Sequence, residues 1–398
     1  MDILPILSTL RRHKTAAALI VLEIALTCAI LCNALDLIGH RLTRLQTVTG
    51  WAESELGIIA MAGIGQNDNG LAATREDLAA LRAVPGVRQA TVISQIPFGN
   101  SSGNISVQMT PDQQRSSLNA SQYLADEHFL QTTGLHLVAG RDFTANEYFD
   151  HDPSPSQTVP VLINEAMARR LFPHGDALGK TIYQGSQPTT IIGIVDPLSD
   201  VRSFDVDHAA LVMPQQLAYT DGGVYLLRMD PARKAQVLRA AVDALVKLNP
   251  RRVVLQQKLM DDMRVRFFAT DRSMAWLLVA VCVALLVVTA LGIVGLASFW
   301  VQQRTRMIGT RRALGATRGQ ILRYFQTENF LLTSVGIVLG MAGAYGINQV
   351  LMTQYELARL PAFYLPVGAL ALWVLGQLAV LGPARRAATL PPVAALRA

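Results

Sequence analysis

Four apolar runs limit what this chain can fold into more than any other feature. They cover residues 15–39, 273–301, 329–351 and 362–382. At about 1.5 Å per helical residue, each is long enough to cross a hydrocarbon core of about 30 Å. A backbone inside lipid has to satisfy its own N–H and C=O groups, so the runs read as transmembrane helices. Residues 40–272 are polar and lie between the first two runs. The predicted architecture is an integral membrane α-helical protein with four transmembrane helices plus an α+β extracytoplasmic domain.

Charge placement supports this reading. The 398 residues carry 35 Lys+Arg against 29 Asp+Glu, a net charge of +6. Residues 41–272 hold 22 and 24 of them, so the remainder holds 13 and 5. The positive excess therefore flanks the apolar runs, which argues for a lipid bilayer and against nucleic acid. Arg11, Arg12 and Lys14 precede the first run. Arg304, Arg306, Arg311, Arg312, Arg318 and Arg323 follow the second, and Arg385, Arg386 and Arg397 follow the fourth. Only Arg359, beside Glu356, lies between the third and fourth. The positive-inside rule then makes the N-terminal segment 1–14, the 302–328 loop and the 383–398 tail cytoplasmic, and the 352–361 loop extracytoplasmic. The expected home is a bacterial inner (plasma) membrane. The first run is long for a signal peptide and lacks a following A-x-A-like site, which favours an uncleaved anchor.

Small residues mark close helix packing: Gly336 and Gly340 as G-x-x-x-G in the third run, Gly292 and Gly295 in the second. The contact partner, within the subunit or across a dimer, is left open. Glu23 sits inside the first run, where an acid needs protein or water to face.

The outside region divides by pattern. A β-α-β unit is predicted over about 51–117, with strands 56–61 and 89–95 around a helix 75–82 that Thr74 caps, Asp77 standing at the third helical position as the weaker capping-box partner. A second covers about 219–257, with strand 224–229, Asp230 as cap, Pro231 at the first helical position and a stop at Asn249-Pro250. The two units are expected to share a sheet. Residues 118–218 read as a β-rich insertion with one helix from Glu165 to Phe172. Residues 258–272 are polar and helix-compatible, and predict a stiff stalk running unbroken into the second span.

No catalytic or cofactor-binding constellation appears. Gly175 to Thr181 comes nearest to a phosphate loop, but three residues instead of four separate its glycines and a strand follows where a helix must begin. The histidines show no H-E-x-x-H, and Cys28, Cys32 and Cys282 all fall in apolar runs, so no metal site is expected. The chain is read as a non-enzyme.

Arg304 to Gln320 forms a basic segment between two spans. Ile308, Arg311, Arg312 and Gly315 recur at three- and four-residue spacings, as on one helix face. On the residues alone two readings stand equal: Ile308 and Leu314 anchor in an apolar groove of a partner while the arginines meet acids or lipid head groups, or the segment is a lipid-facing basic loop that serves only orientation.

RTRMIGTRRALGATRGQIL (304–322) resembles the cytoplasmic loop of MacB/FtsX-type ABC transporter permeases, whose pattern is R-x-x-E-I-G-x-R-R-A-x-G-A. GPARRAATLPPVAALRA (382–398) is similar to that family's ending, and INEAMARRLFPHGDALGKTI (163–182) to its MacB-like extracytoplasmic domain. The chain is identified as a member, in the form of a stand-alone permease subunit. The resemblance implies a coupling helix built from Arg304, Arg306, Met307, Ile308, Gly309, Arg311, Arg312, Ala313, Leu314 and Gly315. It also implies a second permease (homodimer or heterodimer) and a separate ABC ATPase dimer that carries the ATP and Mg. ATP-driven movement of the outside domain, or mechanotransmission, would serve export of a peptide, antibiotic, toxin or lipoprotein. The alternative is FtsX-like signalling to a cell-wall hydrolase or sensor kinase. Whether a periplasmic adaptor and outer-membrane channel join is open. Met307 stands where the family usually has Glu.

Overall fold

Each apolar run is the centre of a longer helix. In the computed structural model the four are Lys14–Leu45, Ala269–Gln303, Arg318–Tyr355 and Tyr364–Thr389, called spans one to four below. The structure describes residues 14–63, 69–99, 102–111, 113, 115–150, 153–154, 157–195, 197–198, 208–218, 222–355 and 361–389. Arg11, Arg12, Glu356, Arg359 and the tail after Thr389 lie outside them. The chain forms two compact units, residues 46–269 and residues 1–45 with 270–398.

In the helical unit, span one packs against spans three and four. Its buried face carries Ile20, Ile24, Cys28, Leu31 and Cys32, which meet Leu332, Ile337, Ala344, Ala369 and Leu372. The G-x-x-x-G glycines make this approach possible. A Cβ added at Gly336 would lie 2.8 Å from Ile24 Cβ, and one at Gly340 would lie 2.7 Å from the Ala25 carbonyl oxygen and 2.5 Å from Cys28 Cβ. Their use is thus within the subunit, between spans three and one. Gly292 of span two gives room to Glu23, whose two carboxylate oxygens lie 2.5 Å from where its Cβ would be. One turn away the Thr27 and Thr289 hydroxyls share a hydrogen bond of 2.8 Å. Gly295 has no close neighbour within its own subunit: a Cβ there would meet nothing within 4 Å.

The other unit holds two sheets. In chain order the strands are β1 (Leu56–Gly63), β2 (Val87–Val92), β3 (Asn104–Val107), β4 (Leu118–Leu124), β5 (Leu137–Gly140), β6 (Val159–Asn164), β7 (Thr181–Gln184), β8 (Gln187–Val195), β9 (Ala210–Met213), β10 (Gly222–Met229) and β11 (Arg252–Leu259). One sheet runs β11-β1-β10-β2, all antiparallel, and so joins the two ends of the domain. The helices Gly70–Arg82 and Lys234–Leu248 cover one of its faces through Leu78, Leu81, Val237, Leu238, Ala241 and Leu245. The insertion forms the other sheet, β3-β4-β9-β6-β8-β5 with β7 on β8, around Val161, Ile163, Ile182, Ile191 and Leu211.

Three local readings are corrected. The helix expected from Arg75 begins at Gly70, where the Asn69 side chain accepts from the Ala72 N–H at 3.1 Å. Thr74 is inside it and buried, its hydroxyl bonded back to the Gly70 carbonyl. Asp77 is no capping partner either. It is fully buried, accepts the Tyr225 hydroxyl at 2.5 Å and pairs with Arg252 of β11. Secondly, Asp230 and Pro231 form a turn ahead of the helix, which starts at Lys234; the Asp230 side chain accepts from the Ala232 N–H at 3.1 Å. Lastly, the stalk is not one helix. A short helix Met260–Phe267 ends at Phe268 before span two begins at Ala269. Phe268 is 2% exposed and its ring meets Phe98 and Phe267 edge-on, with the Arg264 guanidinium 5.4 Å above it. That cluster fixes Phe268 at the break.

Candidate functional site

The basic segment is a helix, a turn and the first turns of span three. Arg304 interrupts the helix after span two, with φ −105° and ψ 11°, and a short helix Thr305–Ala313 continues from it. Leu314 caps that helix and Gly315 follows at φ +96°, in the left-handed region a side chain disfavours. The Ala316 N–H bonds to the Arg311 carbonyl at 3.0 Å and the Gly315 N–H to the Arg312 carbonyl at 3.1 Å. This is the Schellman pattern, which satisfies carbonyls the helix end leaves over. Thr317 then opens span three with a reciprocal cap. Its N–H donates to Gln320 Oε1 at 2.9 Å, and the Gln320 N–H to Thr317 Oγ1 at 3.3 Å. The expected loop to residue 328 is therefore mostly helix, because Thr-x-x-Gln starts span three at Arg318.

Inward-facing residues pin the segment to its own subunit. Arg304 is buried and its Nη1 donates to both Glu328 carboxylate oxygens, while its guanidinium stacks 5.4 Å over the Trp300 ring. Ile308 is 2% exposed and packs with Val301, Ile321, Phe325, Ala384 and Ala387. Gly309 is buried beside it. Arg311 lies 4.9 Å over the Tyr324 ring. Arg312 Nη1 donates to the Ala388 carbonyl at 3.1 Å, near the end of span four, where a cation also suits the helix dipole.

Of the expected coupling residues, Ile308 and Arg304 are therefore buried within their own subunit. The i, i+3, i+4 stripe of Ile308, Arg311 and Arg312 is real, but it covers spans three and four of the same chain. The opposite face is free. Leu314 is 83% exposed, and Arg306, Thr310, Ala313, Gly315, Thr317, Arg318, Gly319 and Gln320 are exposed with it. Met307 is half-buried at the edge. No Asp or Glu occurs from 304 to 327, so this free face is basic around one apolar tip. The resemblance of the segment runs on to Glu328, but neither the Arg304–Glu328 pair with its Trp300 contact nor the Thr317–Gln320 box is among the expected site residues. The box is legible as T-x-x-Q, whereas Trp300 and Glu328 give no local signal of meeting.

Elsewhere, β7 begins at Thr181, where a phosphate-holding helix would have to start. Among the described residues no group of three metal-binding side chains comes together. The three cysteines are free and buried.

Comparison with known proteins covers both units. The family model for the MacB-like periplasmic core domain matches residues 26–250, and that for the FtsX-like permease C-terminal matches residues 279–392. A macrolide export ATP-binding/permease protein MacB from Chromobacterium violaceum is 29% identical over 70% of this chain, which spans 43% of that relative's length. The uncharacterized ABC transporter permease YknZ of Bacillus subtilis is 24% identical over 81% of this chain and 79% of its own. Of solved structures, the periplasmic region of MacB from Actinobacillus actinomycetemcomitans is 16% identical, with a TM-score of 0.36 over 56% of this chain and 96% of that one. With more than half of its residues matched by one family model and spans two to four by the other, this chain belongs to the MacB/FtsX-type ABC transporter permeases of the bacterial inner membrane.

Proposed function

We propose that the exposed face of residues 306–320 docks on an ABC ATPase subunit, and that ATP-driven movement enters the chain there. One contrast carries the reading: Leu314 is 83% exposed while Ile308, six residues earlier, is 2% exposed. An apolar side chain held out on a segment whose other face is anchored is a preorganised contact, and preorganisation lowers the cost of binding. The exposed arginines around it suit an acidic rim on the partner. On this reading the segment, the N-terminus and the tail are cytoplasmic, and ATP and Mg bind on a separate subunit. Relatives matched over most of their own length are named as permeases alone, which supports that division.

The subunit pairs with a second permease copy or a different permease, and movement of its outside domain handles cargo beyond the membrane. The name of the MacB relatives makes macrolide-sized molecules the first cargo class to try. The test is stimulated ATPase activity of the reconstituted complex. Leu314→Asp removes stimulation while span assembly persists. Full stimulation in that variant places the contact elsewhere.

A further inference from the structure

A small cavity lies inside the helical unit, just behind the anchored segment. It has about 10 Å³ of room for the centre of a water molecule and is lined by Ile20, Ile293, Ala297, Trp300, Phe325, Glu328, Asn329 and Val380. Most of these are apolar, but three polar side chains share the wall. Trp300 is 5% exposed, Asn329 6% and Glu328 1%. The Trp300 indole Nε1 and the Asn329 Nδ2 are buried and have no protein partner among the described residues. Arg304 Nη2, beside them, is in the same state.

Buried donors of this kind are paired in native proteins, with protein or with ordered water. Among the described residues neither donor is paired with a protein acceptor. Each Glu328 oxygen receives Arg304 Nη1, and a carboxylate oxygen has lone pairs for a further donor. Gly376 of span four faces Asn329 with no side chain at all; a Cβ there would come within 3.1 Å of Asn329 Nδ2 and of Thr333 Oγ1. A void near 10–15 Å³ with two to four polar neighbours is the setting in which single waters are held, whereas purely apolar voids of similar size stay dry.

We propose that this cavity binds one structural water, which accepts from Trp300 Nε1–H and Asn329 Nδ2–H and donates to the Glu328 carboxylate. Charge selects water over an anion. Arg304 and Glu328 cancel, so the site presents neutral donors beside a carboxylate that repels a negative ligand. The water is the third member of a joint that ties the end of span two to span three. It rests on the packing of the helical unit alone and stands whether or not an ATPase docks below.

The test uses the full chain in lipid nanodiscs with ¹⁵N-labelled tryptophan. Magnetisation transfer from water to each indole N–H is recorded, and the Trp300 signal is assigned by its loss in Trp300→Phe. The expected result is a direct water cross-peak at Trp300 in the wild type and its loss in Asn329→Leu, which fills the cavity. The signals of Trp51, Trp276 and Trp373 report whether that variant folds. No cross-peak in the wild type, or an unchanged one in a folded Asn329→Leu, overturns the proposal. Should Asn329→Leu not assemble, a density map of the wild type that resolves ordered water decides alone: a peak within hydrogen-bond reach of Trp300 Nε1 and Asn329 Nδ2 supports it, and none there refutes it.

Discussion

One terminal nitrogen of Arg304 donates to both carboxylate oxygens of Glu328, at 2.9 and 2.8 Å, with only 7% and 1% of the two side chains exposed. Removing one partner of such a pair strands a buried charge. Glu328→Ala is expected to destabilise the helical unit by about 3–5 kcal/mol. Arg304→Met with Glu328→Leu removes both charges at once and costs well below the sum of the single changes. Thermal unfolding of the wild type, Arg304→Met, Glu328→Leu and the double variant in one detergent checks this. Additive losses would show that the pair carries no coupling.

Leu314 and Ile308 separate docking from folding. Leu314→Asp changes an exposed position, so its stability stays within about 0.5 kcal/mol of wild type while ATPase stimulation falls. Ile308→Asp puts a carboxylate among Val301, Phe325 and Ala387 and costs more than about 3 kcal/mol. A protease-protection assay on both variants, read beside ATPase activity, tells the two effects apart.

Gly340 and Gly295 give opposite expectations. Gly340→Leu drives a side chain into the Ala25 carbonyl and forces spans one and three apart, so the monomer fails to reach its folded form. Gly295→Ala meets nothing and leaves the monomer unchanged. Crosslinking between Ala29→Cys and Gly343→Cys, where a Cβ at 343 would lie 3.7 Å from that of residue 29, reads the separation; unchanged crosslinking in Gly340→Leu sinks the close-packing account.

In the outside domain, burial pushes the Asp126 carboxyl above the usual range. The Thr91 hydroxyl, the His128 N–H at 3.0 Å and Arg82, 3.9 Å away, hold it down less strongly. An acid whose folded pKa is raised disfavours the fold once it ionises, so this contribution improves as pH falls through its folded pKa towards the unfolded value of about 3.9. Asp126→Asn is expected to flatten that part of the stability profile between neutral pH and pH 4, as followed by circular dichroism of the isolated chain in detergent. Glu147 runs the other way. The Arg141 guanidinium holds it down to about 2, so its contribution is present above the unfolded carboxyl range and is lost as pH falls through about 2.

The long periodic features were readable from sequence for a plain reason. Apolar length announces the spans, and Gly336 and Gly340 announce a close approach, because both depend only on residues near one another in the chain. The helix face of Ile308, Arg311 and Arg312 was readable too, but its partner was not. Periodicity states that a face is buried and is silent on what buries it. Here spans three and four of the same subunit do so. The same limit explains Asp77, which suits a helix start by spacing and is instead taken by Arg252 of β11, distant in sequence and beside the helix in the fold. Phe268 shows a third kind of miss. Nothing in a polar, helix-compatible stretch marks where an aromatic cluster will stop the helix.

The turn at Gly315 has a mechanical consequence. Between the short helix and span three, Leu314 to Thr317 are held by a Schellman turn on one side and a reciprocal cap on the other. Such a connection has no slack to take up. If the proposed docking holds, a displacement applied at Leu314 is expected to reach the long helix beginning at Arg318 as rotation, with little bending at the turn. The elbow behaves as a crank arm of fixed angle, and its stiffness comes from a glycine, the residue usually associated with give.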